Sequence, residues 1–168
     1  MIFLPDFRFE KFNDVTPEFL ASLGIKGIIL DVDNTLEPYE HPLPGEHVKI
    51  WLNSLKENGI KAAIVSNNKG KRITLFNSEI NLPVFCSAKK PFKKKFLLAM
   101  AKMGTSQENT IAMGDQIFTD VWAAHNSRIK AILVPPIKDK RDPFTRFKRL
   151  LEKPFLRKYN KIHKKTEI

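Results

Sequence analysis

Five short runs of apolar residues recur along the chain with almost no alternation: "KGIILDV" (26–32), "IKAAIV" (60–65), "LPVFCSA" (82–88), "NTIAMG" (109–114) and "KAILV" (130–134). A strand with one wet face alternates apolar and polar positions. Runs this short and continuous therefore predict parallel strands buried on both faces. Between them the period becomes helical. Residues 46–58 put Val48, Trp51, Leu52 and Leu55 on one face, 70–79 follow a similar pattern, and 92–103 align Phe96, Leu97, Met100 and Ala101. Breaks at Asn58-Gly59 and Gly104 close two of these segments. Strands alternating with helices through short connections predict an α/β fold with a doubly wound, mainly parallel five-stranded sheet.

The two ends fall outside this alternation. Residues 1–24 read as a lead-in with one short helix, started by Thr16 as N-cap and Pro17 at its first position and closed by Gly24. Residues 25–137 form the core, and 138–168 form a tail with Phe144, Phe147, Leu150 and Leu151 at helical spacing among Arg and Lys. Beyond Pro154 the tail is expected to fray or lose order.

In an open α/β sheet, ligands bind beyond the carboxyl ends of the strands. The residues at the end of each run are therefore informative. The first run ends in Asp31-Val32-Asp33-Asn34-Thr35, the second in Ser66-Asn67-Asn68, the third leads to Lys89-Lys90-Pro91, and the fourth ends in Gly114-Asp115 with Asp120 five residues on. Turn residues are ordinary at one strand end; four polar ends facing one crevice form a candidate active site. Crowded carboxylates repel one another, and burial raises their pKa values, unless a divalent cation joins them. An all-oxygen set suits Mg²⁺, and Lys90 adds a charge able to neutralise a phosphate. Metal, lysine and hydrogen-bond donors around one carboxylate are what phosphoryl transfer needs.

These four motifs, in this order, resemble the haloacid dehalogenase superfamily, and within it the YqeG-type, subclass IIIA phosphatases. "LPDF", "TPEFLASLGIKGIILDVDNTLEPYE", "VSNN", "KKP" and "GDQIFTDV" carry the likeness over nearly the whole chain. The resemblance implies a Rossmann-like three-layer sandwich and a Mg²⁺-dependent hydrolase of phosphoric monoesters. Asp31 would be the nucleophile that becomes an aspartyl-phosphate, and Asp33 the general acid and then base, its carbonyl also binding metal. Thr35 would shape the loop and the substrate site, Ser66 and Asn67 would bind phosphoryl oxygens, and Lys90 would hold Asp31 and the phosphate. Asp115 would join Asp31 and Asp33 at the metal, with Asp120 in support. Where relatives carry a glycine-rich "GGN", this chain has "WAAHNS" (122–127), a departure that bears on the rim of the site.

Composition refines this picture. The 29 basic and 18 acidic residues give a net charge of +11, but residues 138–168 alone hold 12 basic against 4 acidic side chains, leaving +3 for the rest. The tail has two readings: its apolar residues pack on the sheet, or it lies on an anionic membrane as a basic amphipathic helix. Nucleic acid is disfavoured, because no recognition motif accompanies the charge. A single cysteine, Cys86, in apolar surroundings excludes a disulfide framework and reads as an inert thiol. The apolar start before Pro5 is too short for a signal peptide and no membrane span is present, so a cytoplasmic location is expected, with peripheral membrane contact open. His41, His47, His125 and His163 lack paired spacing and read as surface or structural. Lys89 and Lys93–Lys95 read as solvated neighbours of Lys90.

The gaps between motifs leave no room for a cap domain. An uncapped site favours a substrate whose bulk stays outside, such as a phosphorylated lipid. The relatives' phosphatidylglycerophosphate phosphatases, and phospholipid metabolism with them, point the same way. A soluble or protein-borne phosphate is the alternative substrate, and an idle nucleic-acid- or membrane-binding module the alternative function. Oligomeric state stays open.

Overall fold

The structure, a computed structural model, describes residues 2–138 and 143–163, with no side-chain description for 143 and 144. Six strands form one fully parallel sheet: β1 (Phe7–Arg8), β2 (Gly27–Leu30), β3 (Lys61–Val65), β4 (Val84–Phe85), β5 (Thr110–Gly114) and β6 (Lys130–Leu133), in the order β1-β6-β5-β2-β3-β4. Five strands are expected from the apolar runs; the sixth is β1, which lies in the lead-in and pairs Phe7 with Ile132 and Arg8 with Leu133. Two residues are too few to leave a periodic signal, and its partner rather than its own pattern makes it a strand.

Among the described residues six α-helices complete the fold: α1 (Pro17–Ser22), α2 (Glu46–Glu57), α3 (Gly70–Asn77), α4 (Lys94–Met103), α5 (Trp122–Asn126) and α6 (Pro143–His163). Thr16 caps α1, its hydroxyl accepting from the Phe19 N–H at 3.2 Å. Alternate residues of each strand serve opposite faces. Ile28, Leu30, Ile64, Ile111 and Met113 join Val48, Trp51 and Leu55 of α2 and Ile73 and Phe76 of α3. Ile29, Ala63, Ala112 and Ala131 face Phe96 and Met100 of α4 and Ala123 and Ala124 of α5. The result is the three-layer α/β sandwich. Helix α4 is turned slightly from its expected face: Ala99 and Met103 are buried with Phe96 and Met100, while Leu97 and Ala101 are exposed.

Helix α6 departs most from expectation. It does not end at Pro154 but runs through it to His163. Nor do three of the apolar residues at helical spacing pack on the sheet. Phe147 and Leu150 are each 57% exposed and Leu151 44%, whereas Glu152 is buried and Phe155 and Leu156 contact the second core. The side chain of Phe144 lies outside the described residues. Cys86 is half-buried, and burial raises its thiol pKa.

Sheet order decides where a ligand can enter. The chain runs outward from β2 through β3 to β4, then returns to lay β5 against the other side of β2. The loops leaving β2 and β5 therefore diverge at their carboxyl ends, the place where doubly wound sheets open a crevice. No domain is inserted in the loops after β2 or β3.

Candidate active site

Asp31 directly follows β2 and Asp115 directly follows β5, and register brings them together: Leu30 pairs with Met113, and the Asp31 N–H donates to the Met113 carbonyl at 3.0 Å. Both carboxylates are buried, as is Asp120, and one oxygen from each of the three lies within 4.8 Å of the others. Lys90, reached through the loop after β4, donates to Asp31 Oδ1 and Asp120 Oδ1, each at 2.6 Å. Thr35 stands between the inner oxygens, its single hydroxyl 3.3 Å from both Asp31 Oδ2 and Asp115 Oδ1. It can donate to only one at a time.

Asp120 is placed by a π-helical turn at Ile117–Val121, and its Oδ2 accepts the Gln116 N–H at 3.0 Å. Gly114 is needed here, because a Cβ at that position would collide with the Asp120 carboxyl. Ser66 is buried at the end of β3 and its hydroxyl accepts from the Asn68 N–H at 3.0 Å. Asn67 spends its side-chain oxygen on the Lys90 N–H at 2.7 Å, joining the loops after β3 and β4.

Asp33 lies at the mouth. Its Oδ1 accepts from Arg72 Nε at 2.5 Å and its Oδ2 from Asn68 Nδ2 at 3.0 Å, while Arg72 also donates to the Pro38 and His41 carbonyls. Asp31, Asp33, Ser66, Asn67, Lys90 and Asp120 line one crevice of about 310 Å³; Thr35 is not part of that lining. The expected residues thus converge, with Thr35 and Asp115 set behind the crevice wall rather than on it. The histidines stay outside: His41 and His47 flank Glu37, and His125 bonds Asp6 at 2.9 Å.

Three partners escape the sequence reading. Arg72 looks like a solvated helix charge until the fold turns it on Asp33. Arg149 and Glu152 look like the wet face of the tail, yet both face inward. Arg149 forks onto the Asp115 carboxylate and carbonyl and reaches Glu152 Oε2 at 3.1 Å, while Glu152 Oε1 accepts the Ile117 N–H at 2.7 Å. Their spacing of three in a helical pattern was the available signal.

With every carboxylate ionised, the charges do not balance without a cation. Four buried carboxylates, Asp31, Asp115, Asp120 and Glu152, face two cationic side chains, Lys90 and Arg149. The excess of two negative charges equals one divalent ion. All donors are hard oxygens, the set that Mg²⁺ takes. Asp31 Oδ2 and Asp115 Oδ1 both lie 3.3 Å from the Thr35 hydroxyl, and one oxygen each of Asp31, Asp115 and Asp120 lies within 4.8 Å of the others, so the residues fit such an ion.

Electrostatics agree with this. Burial pushes the Asp31 carboxyl well above the carboxylate range; Lys90 opposes the shift, and Asp120 and Asp115 add to it. Burial likewise raises Asp115, with repulsion from Asp120 added and Arg149 opposing. Burial works against the charge on Lys90, but Asp120 and Asp31 outweigh it and hold the ammonium protonated. The folded chain therefore keeps protons on Asp31 and Asp115 that the unfolded chain releases above the ordinary value of 3.8. Stability of the metal-free protein should fall as pH rises from there through the raised folded values. A cation that replaces those protons gains where they are lost. Mg²⁺ should lift the melting midpoint more at pH 8 than at pH 5, and scanning calorimetry with equal shifts at both would contradict the assignment.

A doubly wound parallel sheet with buried carboxylates and a lysine gathered at its switch point has the architecture of a hydrolytic enzyme. Residues 25–134 match the family model described as haloacid dehalogenase-like hydrolase. The chain is 37% identical to "Probable phosphatase YqeG" of Bacillus subtilis (strain 168) over 154 residues, which is 92% of this chain and 90% of that one. It belongs to the haloacid dehalogenase-like hydrolases, among their YqeG-type members. Two solved structures share the fold. A Had-superfamily hydrolase from Ehrlichia chaffeensis superposes with TM-score 0.54 at 18% identity, covering 76% of this chain and 97% of that one. An uncharacterized protein from Listeria monocytogenes serotype 4b gives 0.55 at 19% identity, covering 71% and 85%.

Proposed function

We propose that the chain is a Mg²⁺-dependent phosphatase acting through an aspartyl-phosphate, and that its substrate is a phosphomonoester carried by an anionic lipid such as phosphatidylglycerophosphate. The observation that carries the chemistry is Asp31, buried at a strand end with one oxygen fixed by Lys90 and open to the crevice. An Asp31 oxygen attacks phosphorus and the bond to the leaving oxygen breaks, with Asp33 delivering a proton to that oxygen. Water then attacks the phosphorus, Asp33 takes its proton, and the Asp31–phosphorus bond breaks to free phosphate and restore the carboxylate. Ser66 and the backbone N–H groups beside Asn67 hold the phosphoryl oxygens, and Lys90 carries charge for Asp31 throughout. Asp31, Asp115 and the Asp33 carbonyl would hold Mg²⁺, which when bound polarises the phosphoryl group and offsets its charge. Arg72 Nε and Asn68 Nδ2 fix the Asp33 carboxyl at the mouth of the crevice. The Bacillus relative named a probable phosphatase supports the reaction class.

Two features support the lipid. The crevice has no inserted cap, so a bulky substrate can present only its phosphate. Helix α6 turns Phe147, Leu150 and Leu151 outward among exposed Arg146, Lys153, Arg157 and Lys161, while its only acid, Glu152, faces in. Apolar residues rimmed by cations suit the headgroup boundary of an anionic leaflet, where each Lys or Arg contributes about 1 kcal/mol. A second copy of the same face would oppose like charges. Among the described residues no helix is long and apolar enough to cross a membrane.

The test compares phosphate release from phosphatidylglycerophosphate in vesicles, sugar phosphates and nucleotides. The lipid should lead by at least about tenfold, and co-sedimentation with phosphatidylglycerol vesicles should fall by a similar factor when Phe147, Leu150 and Leu151 become Ser. A preference for a soluble phosphate, with no vesicle binding, replaces the lipid with a metabolite.

A further inference from the structure

Helix α6 lies outside the segment that matches the family model, yet two of its side chains reach the acidic cluster. Their role there is defined atom by atom. Asp115 Oδ2 and the Asp115 carbonyl are both taken by the fork of Arg149, leaving Oδ1 turned toward Asp31. Asp31 is held in a matching way: Lys90 takes Oδ1 and leaves Oδ2 turned toward Asp115. Each cation holds one oxygen of one carboxylate, and the other oxygen of each lies 3.3 Å from the single Thr35 hydroxyl, which brings the two together.

A guanidinium beside a cation site could also be a competitor for it. Two observations decide against that. Glu152 pairs with Arg149 at 3.1 Å and is itself buried, so α6 brings the cluster no net charge. And Arg149 sits on the far oxygen, not between the two inner ones. A third observation concerns what Arg149 gives up: its Nε is the one buried side-chain nitrogen or oxygen without a partner among the described residues. An arginine placed for stability alone would be expected to satisfy its donors. This one is oriented by what it does to Asp115. Glu152 continues the clasp one step further, accepting the Ile117 N–H at the start of the turn that delivers Asp120.

We infer that the Arg149–Glu152 pair of α6 is a positioning device for the divalent-cation site, fixing the carboxylate of Asp115 so that its inner oxygen is preorganised for the metal. The inference rests on the acidic cluster being a Mg²⁺ site. Partners that orient a metal ligand typically contribute about 10–100-fold to affinity, because a free carboxylate must give up rotation on binding.

The experiment is Mg²⁺ titration calorimetry on the full chain, with the melting midpoint recorded for each variant. Removing Arg149 alone would leave Glu152 as an extra negative charge that attracts the ion, so the informative variant is the charge-neutral Arg149→Met with Glu152→Gln, whose glutamine can still accept from Ile117. It should bind Mg²⁺ about tenfold or more weakly. Arg149→Lys, which keeps the charge and loses the fork, should fall between wild type and the double variant and serves if the latter does not fold. Equal or tighter Mg²⁺ binding by the folded variants overturns the positioning role while leaving the metal site intact. A wild-type chain that binds no Mg²⁺ overturns both.

Discussion

Asp31→Asn should abolish phosphate release from p-nitrophenyl phosphate, a loss on the order of 10⁴-fold or more. The change keeps the shape of the side chain, and an amide oxygen can still accept from Lys90 where Asp31 Oδ1 does at 2.6 Å. What disappears is a nucleophile able to form and release a phosphoryl bond. The same substitution should raise stability in the absence of metal. Asp31 is ionised at a cost, since burial and the neighbouring Asp120 and Asp115 all push its carboxyl upward. Removing that charge relieves repulsion at a site arranged for function. The paired outcome, lower activity with a higher melting midpoint without Mg²⁺, separates a lost nucleophile from a damaged fold. Activity within tenfold of wild type would reject Asp31 as the nucleophile.

Lys90→Met carries the largest expected effect on stability. The ammonium is buried and bonds two carboxylates, Asp31 and Asp120, at 2.6 Å each. Methionine nearly matches its length but leaves both acids without their cation in a low-dielectric site. Breaking a buried pair in this way costs about 3–5 kcal/mol. Urea denaturation at pH 7 should show that loss, and a smaller one at pH 5, where Asp31, already pushed upward by burial, takes up a proton more readily. Added Mg²⁺ should recover part of the deficit at pH 7. A loss below about 1 kcal/mol at pH 7 would mean that Lys90 does not hold the cluster together.

The chemistry was legible where topology leaves no choice. Once β2 and β5 are adjacent parallel strands, the residues after Leu30 and Gly114 must meet, so Asp31 and Asp115 could be read as a pair from the chain alone. Lys90 was legible for the same reason, at the end of the run containing β4. Orientation beyond those strand ends was not. The partners of Asn67 and Asp33 were not legible: Asn67 accepts the Lys90 N–H and Asp33 accepts from Arg72, while both line the crevice. Helix α6 reversed its apparent faces for an energetic reason that periodicity cannot register. Its apolar residues at 147, 150 and 151 give the larger hydrophobic signal, but Asp115 and the Ile117 N–H are buried groups needing partners, and Arg149 and Glu152 supply them. The inward side of α6 thus combines those polar contacts with the apolar packing of Phe155 and Leu156.

The turn that carries Asp120 is gripped from both ends of the sequence. Phe3 packs edge-on against Phe118, Trp122 and Phe155, and Arg8 bonds Asn160 of α6 at 3.2 Å across 152 residues of chain. Contacts this distant in sequence form late, after the loop they close has been made. On a ribosome, the central strands can assemble while α6 is still being translated, but Asp115 and the turn behind it would then lack Arg149, Glu152 and Phe155. A nascent chain of this protein would carry a folded sheet and an unfinished active site, and would become competent only once α6 had been synthesised and docked.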